Sequence, residues 1–398
     1  MFGFFIFIYS VMGLKNRIPF LLAFLSVLAL TACRSETPVD PGADLFGNIF
    51  TFEELRDTSL AVTQGTVDVR RGYLSINPVG MYHGYTAQSL IKFTNFSGIL
   101  ADGVTAQDIQ QASVIFPVQR HLGAPGQSLS LIAYQFNSPW NEDTALEDID
   151  MADYEPAAMD SVSFPAALDS AETYAFVRID LDPAVVGTWL DTTSAENQGV
   201  LLQGAGDSVV VFGASRDTES PPLLKVSTGD STYTIIAGMD YGIIQGGDAP
   251  EPSNHRLVLQ QNIGRRFALS WPQFSHLVPD TNIFIHSARL VLPVDQAQSF
   301  AAGGEHQLVI ASNSGKTPLA VATTRSHITG TLTASDTALV VESTPDETFL
   351  SNYFQGLLHE GGKEQQLVFF YLNDGDGLQY VTFNSDQVRL KLVYSELK

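Results

Sequence analysis

Polar and apolar positions alternate with a period of two along much of this chain. Ser89-Leu90-Ile91-Lys92-Phe93, Ser113-Val114-Ile115-Phe116, Ser128-Leu129-Ser130-Leu131-Ile132-Ala133-Tyr134 and Ala175-Phe176-Val177-Arg178-Ile179-Asp180-Leu181 all follow it. That period is the period of a strand, whose side chains point alternately to its two faces. The β-branched and aromatic residues that fill these runs suit a pleated surface. Gly, Pro, Asn and Asp stand between the runs, where turns need them. Helical spacing is scarce. One short helix is predicted over Pro183–Trp189, with Asp182 as its N-cap and Pro183 in its first turn, and a counterpart over 349–358. Many short strands, long loops and no βαβ alternation predict an all-β fold, a jelly-roll-like β-sandwich.

The chain also resembles itself. Phe93 matches Trp271, and Phe96 matches Phe274. Gln111-Ala112 falls on Ser287-Ala288, and Phe116-Pro117-Val118 falls on Leu292-Pro293-Val294. Each copy holds an apolar strand, a loop ending in Asp, and a second strand closed by Pro-Val. The later parts match too: Gly-Val-Leu-Leu-Gln from Gly199 and Pro-Leu-Leu-Lys-Val from Pro222 find their partners in Gln-Leu-Val-Phe-Phe-Tyr-Leu from Gln366 and Val-Arg-Leu-Lys-Leu-Val from Val388. Internal repetition on this scale predicts two tandem β-sandwich domains, 45–229 and 230–398, the second a diverged copy of the first.

The first 33 residues differ from the rest. Lys15 and Arg17 precede an apolar run from Ile18 to Leu30, followed by Thr31-Ala32-Cys33. A basic start, an apolar core and small residues before a cut site make a secretory signal. The core is shorter than the ~20 residues of a comfortable membrane span. Leu30-Thr31-Ala32-Cys33 resembles a lipobox, and Cys33 is the only cysteine of the chain. The expectation is a signal peptide over 1–32, lipid on Cys33, and a Pro-rich tether over 33–44. Arg34, rather than Asp, follows the cysteine; by resemblance to known lipoproteins this favours the outer membrane where the host has two. Met12 opens a more compact signal than Met1 does, so either is a candidate start.

Composition narrows the partners. Apolar residues make up 44% of the chain, enough for a substantial core, while charged residues are 16% and the net charge is −22. An acid excess of this size argues against nucleic acid and against anionic lipid, both of which need Lys/Arg patches.

Several landmarks then fall in the order of a known family. Leu90-Ile91-Lys92-Phe93, the strand from Ile109 to Val118, the run from Leu131 to Phe136, Trp140-Asn141-Glu142, Ile179-Asp180-Leu181 before a short helix ending at Trp189, and Gly199-Val200-Leu201-Leu202 resemble the DNRLRE-type β-sandwich domains of bacterial surface proteins, a group related to the family 96 carbohydrate-binding modules. The likeness covers most of 60–226. The name motif of the family and the second Trp after Trp-x-Glu are absent, and the second copy lacks the Trp-x-Glu element. The resemblance implies a sandwich and, in some members, polysaccharide binding.

Four residues are candidate glycan contacts. Trp140 would offer an indole face to a sugar ring and Glu142 would accept from its hydroxyls; the alternative is a structural Trp whose N–H is satisfied locally. Tyr82 and Tyr85, with His83 in the Gly-rich stretch Gly80–Tyr85, would line a groove or else cover a sandwich end. Exposed aromatics would favour glycan binding, and buried ones a structural spacer of the cell envelope. The acidic run from Glu142 to Asp160 makes Asp148, Asp150 and Asp153 candidate Ca²⁺ ligands, although their spacing matches no known calcium loop and a solvated loop is the plainer reading. Asn373-Asp374-Gly375-Asp376-Gly377 reads as a hairpin turn. Scattered histidines and the lack of Gly-x-Ser-x-Gly give no support to a zinc site or a serine hydrolase. No catalytic set stands out, so a non-catalytic protein without a cofactor is expected, anchored to a membrane through Cys33 and binding acidic or neutral polysaccharide, or else serving as an envelope spacer.

Overall fold

The computed structural model describes residues 50–397, except 58–59, 124–127, 165–174, 191–196, 273, 275–282, 303, 314–318, 320–326, 360–364 and 374–376. Cys33 and its flanks, and part of the 373–377 turn, therefore lie outside the described residues. Residues Glu54–Tyr394 form one compact unit.

The fold is all-β and antiparallel, a β-sandwich architecture. The strands are β1 (Phe50–Asp57), β2 (Ala61–Thr66), β3 (Ile76–Tyr82), β4 (Tyr85–Lys92), β5 (Gln111–Gly123), β6 (Leu129–Gln135), β7 (Asp160–Phe164), β8 (Ala175–Leu181), β9 (Val200–Ala205), β10 (Ser208–Gly213) and β11 (Leu223–Ser227). They continue as β12 (Thr232–Ile236), β13 (Met239–Gly246), β14 (Arg256–Gln260), β15 (Arg265–Ser270), β16 (Ile283–Pro293), β17 (Glu305–Asn313), β18 (His327–Thr333), β19 (Ala338–Glu342), β20 (Gln366–Tyr371), β21 (Tyr380–Asn384) and β22 (Arg389–Leu397). The helices are α1 (Ser97–Ala101), α2 (Pro183–Trp189) and α3 (Phe349–His359). The α2 cap is the one expected: Asp182 Oδ1 accepts from Ala184 N at 2.8 Å.

One module is a curled sheet in the order β12-β11-β5-β10-β3-β4-β9-β6-β7, with β13 added to β4 and β8 to β5. It closes around a core that includes Phe93, Phe96, Phe116, Trp189 and Phe212. The other is a sheet in the order β18-β17-β20-β15-β14-β21, with β2 added to β15. It faces β22-β16-β19 and α3 across a core that includes Trp271, Phe274, Phe354 and Phe369. The residues matched by the repeat occupy matching places. Phe93 follows β4 and stacks on Trp189 of α2, centroids 6.5 Å apart. Trp271 follows β15 and meets Phe354 of α3 edge-on at 5.0 Å. The Pro-Val pairs mark where a strand crosses to β10 or its counterpart β21: Val118 registers with Phe212, and Val294 bridges Phe383. Pro117, which has no N–H to donate, stands just ahead of the slip in the β5–β10 register.

The sheets do not follow the 229/230 division. β13, drawn from the second copy, pairs along its whole length with β4 of the first, from Met239↔Lys92 to Gly246↔Tyr85. β2, drawn from the first copy, pairs with β15 of the second, from Ala61↔Ser270 to Thr66↔Arg265. Each copy thus gives the strand that precedes its own first hairpin to the sheet of the other. A further difference concerns 373–377: β20 and β21 are not hairpin partners, because β15 and β14 lie between them in the sheet.

The modules are also joined by side chains. Ile76, Tyr85, Val209, Val211 and Ile244 of the first pack with Leu378 and Tyr380 of the second. The β3–β4 turn reaches across as well. Its two central residues, His83 (φ 50°) and Gly84 (φ 72°), both have positive φ, which is the type I′ geometry that matches strand twist in a two-residue hairpin. The His83 ring stacks on Phe300 at 4.0 Å, and Tyr82 meets the same ring edge-on at 5.7 Å. A Cβ on Gly84 would come within 2.1 Å of Asp248 Oδ1, so glycine serves both the turn and the close approach.

Candidate functional site

The Trp140–Glu142 element opens the loop that carries the acidic run. This loop is amphipathic. Leu146, Ile149, Met151 and Tyr154 turn inward and pack with Leu90, Leu201 and Tyr241 on the outer face of the first sheet. The acids between them point outward: Glu147, Asp148, Asp150 and Asp153 are all exposed. Local bonds fix the chain path. Asp150 Oδ1 accepts from Ala152 N at 3.1 Å, Ser138 Oγ from Asp150 N at 3.2 Å, and the Asp153 carbonyl from Asn137 N at 3.0 Å. Asp148, Asp150 and Asp153 are thus not gathered around a point. Among the described residues no group of three or more His, Cys, Asp or Glu side chains is placed to hold a metal ion.

Trp140 is 5% exposed and presents no open face. Its Nε1 donates to Gln198 O at 2.8 Å, its carbonyl accepts from Lys92 Nζ at 3.1 Å, and Tyr241 lies edge-on to its ring at 6.2 Å. Lys92 Nζ donates also to Gln198 Oε1 at 2.8 Å. Burial with neutral partners lowers the Lys92 pKa to about 8. Tyr85 is 1% exposed and Tyr82 half-buried against Phe300, so the two tyrosines and the tryptophan do not share a surface. The tyrosines serve the seam between modules, and the tryptophan ties down the acidic loop.

Glu142 does reach a cleft. Val67 to Arg71, running from β2 toward β3, face Glu142 to Glu147 across a space of about 500 Å³, with Tyr241 and Ile263 also lining it. A tight packing contact shapes one edge: a Cβ on Gly72 would stand 2.2 Å from the Glu142 carbonyl oxygen, so only glycine lets the 71–73 turn lie against this loop. Glu142 Oε2 pairs with Arg216 Nη2 at 2.6 Å, and the Arg216 guanidinium lies 4.1 Å from the centre of the Tyr73 ring. The Tyr73 hydroxyl donates to Asp143 Oδ1 at 2.9 Å. Arg71 is drawn inward, donating to Ile244 O at 3.1 Å and Asn262 O at 3.5 Å, and burial lowers its pKa. Asp68, Glu142, Asp143 and Glu147 against Arg70 and Arg71 leave the lining acidic on balance. Such a lining accepts hydrogen bonds from hydroxyls and repels polyanions. Arg70, Arg71 and Tyr73 carried no signal in the sequence, because they meet the Glu142 loop, some 70 residues further along the chain, only in the fold.

No family model matches the chain, and no curated protein matches it. Among solved structures it is similar to the Cowpea mosaic virus top component, at 6% identity over 80% of this chain and 91% of that one, with a TM-score of 0.20. It is similar also to the C-terminal domain of the Streptococcus pyogenes antigen I/II-family protein AspA, at 10% identity over 85% and 92%, TM-score 0.18. A third is the C-terminal domain of the Streptococcus agalactiae polypeptide BspA, at 11% identity over 85% and 92%, TM-score 0.17. Likenesses this slight carry no functional argument.

Proposed function

We propose that this chain is a non-catalytic extracytoplasmic lipoprotein, cut before Cys33 and held to a membrane, the outer one where the host has two, by lipid on that residue. Its two joined modules serve as a structural or protein-interaction body of the cell envelope. The burial of Trp140 and Tyr85 carries this reading, because the aromatics nearest a glycan platform are committed to the fold. The lone cysteine after a secretory signal supports the anchor, and the Pro-rich stretch behind it supports a tether. Metabolic labelling with palmitate tests the anchor: label on the chain that disappears in Cys33→Ser is expected, and label that persists overturns it. Cross-linking in cells tests the role, with a reproducible protein neighbour expected and a clean map with none counting against it.

Polysaccharide binding is a second reading, favoured by the open cleft beside Glu142 and by the likeness to DNRLRE-type and family 96 carbohydrate-binding modules. Its acidic balance and the net charge of −22 favour neutral over uronate polymers. Retardation in gels cast with neutral or acidic polysaccharide, run with and without Ca²⁺, decides between the two readings. Retardation relieved by Glu147→Ala, an exposed side chain of the cleft, moves the function to glycan binding. A blank panel with folded protein leaves the structural role.

A further inference from the structure

β19 stands at the end of its sheet. It pairs with β16 and, among the described residues, with no other strand. The register shows which of its main-chain groups are free. Ser343 N donates to Ala288 O and Val294 N to Thr337 O, both at 2.9 Å. In an antiparallel ladder, alternate residues aim their N–H and C=O to opposite sides. Thr337, Leu339, Val341 and Ser343 therefore bond toward β16, while Ala338, Val340 and Glu342 aim theirs away from it. A cleft of about 390 Å³ opens along this edge, walled on its other side by His327 to Gly330 of β18.

The first copy guards the same edge, and the second does not. In the repeat, Ser113 of β5 takes the place of Arg289 of β16, and Ile115 that of Val291. Ser113 registers with Asp180 and Ile115 with Arg178. Arg289 registers with Glu342 and Val291 with Val340. Asp180 and Arg178 of β8 thus stand where β19 has Glu342 and Val340. In the first copy Asp180 N donates to Asp160 Oδ2 at 2.9 Å, and Arg178 and Asp180 form an ion pair at 2.8 Å. Charges and an occupied amide keep an edge strand from pairing with another chain. β19 has Val340, 45% exposed, in place of the arginine, and holds no lysine or proline.

The strand is also complementary to itself. Laid antiparallel to a second β19 about a two-fold axis at Val340, each Val340 meets the other, and Ala338 meets Glu342 of the second copy. Every outward N–H and C=O then finds its partner. Val291 and Val340 of the two copies form one apolar row across the joint, and Leu339 lies beside Val341 of the second copy on the core side. Glu342 falls opposite alanine, with its carboxylate turned 3.6 Å from Arg289 of its own chain, so no like charges face one another.

We propose that two copies of this chain pair edge to edge through β19, joining their β22-β16-β19 sheets into one. This deepens the reading of the chain as an interaction body of the envelope, and rests on that reading only for its setting. A short edge buries less than the roughly 1,200 Å² of a stable interface, so pairing is weak in free solution. Copies anchored on one membrane would meet at a higher effective concentration.

The test uses the chain from residue 33 onward with Cys33→Ser, which carries no anchor, so its failure would leave the lipid reading standing. Sedimentation equilibrium over about 1–500 μM, the range of weak pairs, is the first readout. A monomer–dimer equilibrium is expected, tightening as added salt screens the net charge of −22. Val340→Arg restores the first copy's residue at an exposed position and is expected to weaken the dimer at least about tenfold with Tm unchanged. Opposed residues in such a pair have Cα atoms about 5.5 Å apart, within reach of a disulfide. Mild oxidation of Val340→Cys is therefore expected to give a covalent dimer, and Thr329→Cys, exposed on β18, to give none. A chain that stays monomeric, a dimer indifferent to Val340→Arg, or one trapped at Thr329 rather than Val340 overturns the proposal. So does a monomer whose Val340→Arg variant loses a cross-linked neighbour of another kind in cells, which would give the edge to that partner.

Discussion

Lys92 Nζ donates to the main-chain oxygen of Trp140 at 3.1 Å and stands 4.9 Å from the centre of that residue's indole ring. The ammonium has oxygen acceptors and a π face around it, and no carboxylate pairs with it among the described residues. Burial disfavours its charged form and brings its pKa from 10.5 to about 8. Between pH 8 and 10.5 the unfolded chain therefore holds a proton that the folded chain has released. Where the unfolded state binds more protons, stability rises with pH. Chemical unfolding across pH 7.5–10.5 should show Lys92→Met losing part of the upward slope found in the parent protein. Parallel curves for the two proteins would refute the buried-charge account.

Trp140 itself joins the acidic loop to the sheet. Trp140→Ala empties a buried site and should cost about 3–5 kcal/mol in urea unfolding. Trp140→Phe keeps most of the volume, loses the Nε1 bond to Gln198 O, and should cost about 1–3 kcal/mol by leaving a buried carbonyl without its donor. An alanine variant as stable as the parent would mean that the indole is not a structural tie.

The period-two runs, the two longer helices and the aromatic equivalences were legible in the sequence because each is set by near neighbours. Asp182 caps α2 two residues away, and Phe93 and Trp271 each mark the end of a strand. What escaped was non-local. Tyr82-His83-Gly84-Tyr85 announces a turn in sequence, yet its rings are engaged by Phe300 and Tyr380, far along the chain. The acidic run was visible as charge, while the inward face made by Leu146, Ile149 and Met151 depends on a sheet surface that only folding supplies. The exchange of β2 and β13 left no local trace at all, since each strand alternates in the same way whichever sheet receives it.

His306 is expected to govern part of the acid limit. It is 3% exposed on the core-facing side of β17, with Nδ1 2.8 Å from the Tyr371 hydroxyl, and burial lowers its pKa from 6.5 to about 4. As pH falls through 6.5 the unfolded chain takes up a proton that the folded chain refuses until about 4. Stability contributed by neutral His306 is therefore present above 6.5 and lost on descending to 4, by roughly 3 kcal/mol in full. His306→Phe should flatten the decline in unfolding free energy over that window. An unchanged acid limb would place the sensitivity elsewhere.

The strand exchange makes a prediction about the halves. A fragment of residues 45–229 contains all of the first copy yet lacks β13, so the edge of β4 from Tyr85 to Lys92 goes unpaired. It also carries β2 with no β15 to receive it. A fragment of residues 67–247 breaks the repeat boundary at both ends but holds β3 through β13, the whole curled sheet with the core around Phe93 and Trp189. Exposed unpaired edges favour aggregation, and a sheet that keeps all its partner strands and its own core favours independent folding. The second fragment should unfold cooperatively in denaturant, and the first should be aggregated or molten alone. Mixing 45–229 with 230–398 should restore cooperative unfolding and a one-to-one complex on gel filtration, because each half then receives its missing strand. If 45–229 alone unfolds as sharply as the intact chain, the donated β13 contributes little, and the two copies are self-sufficient domains that merely touch.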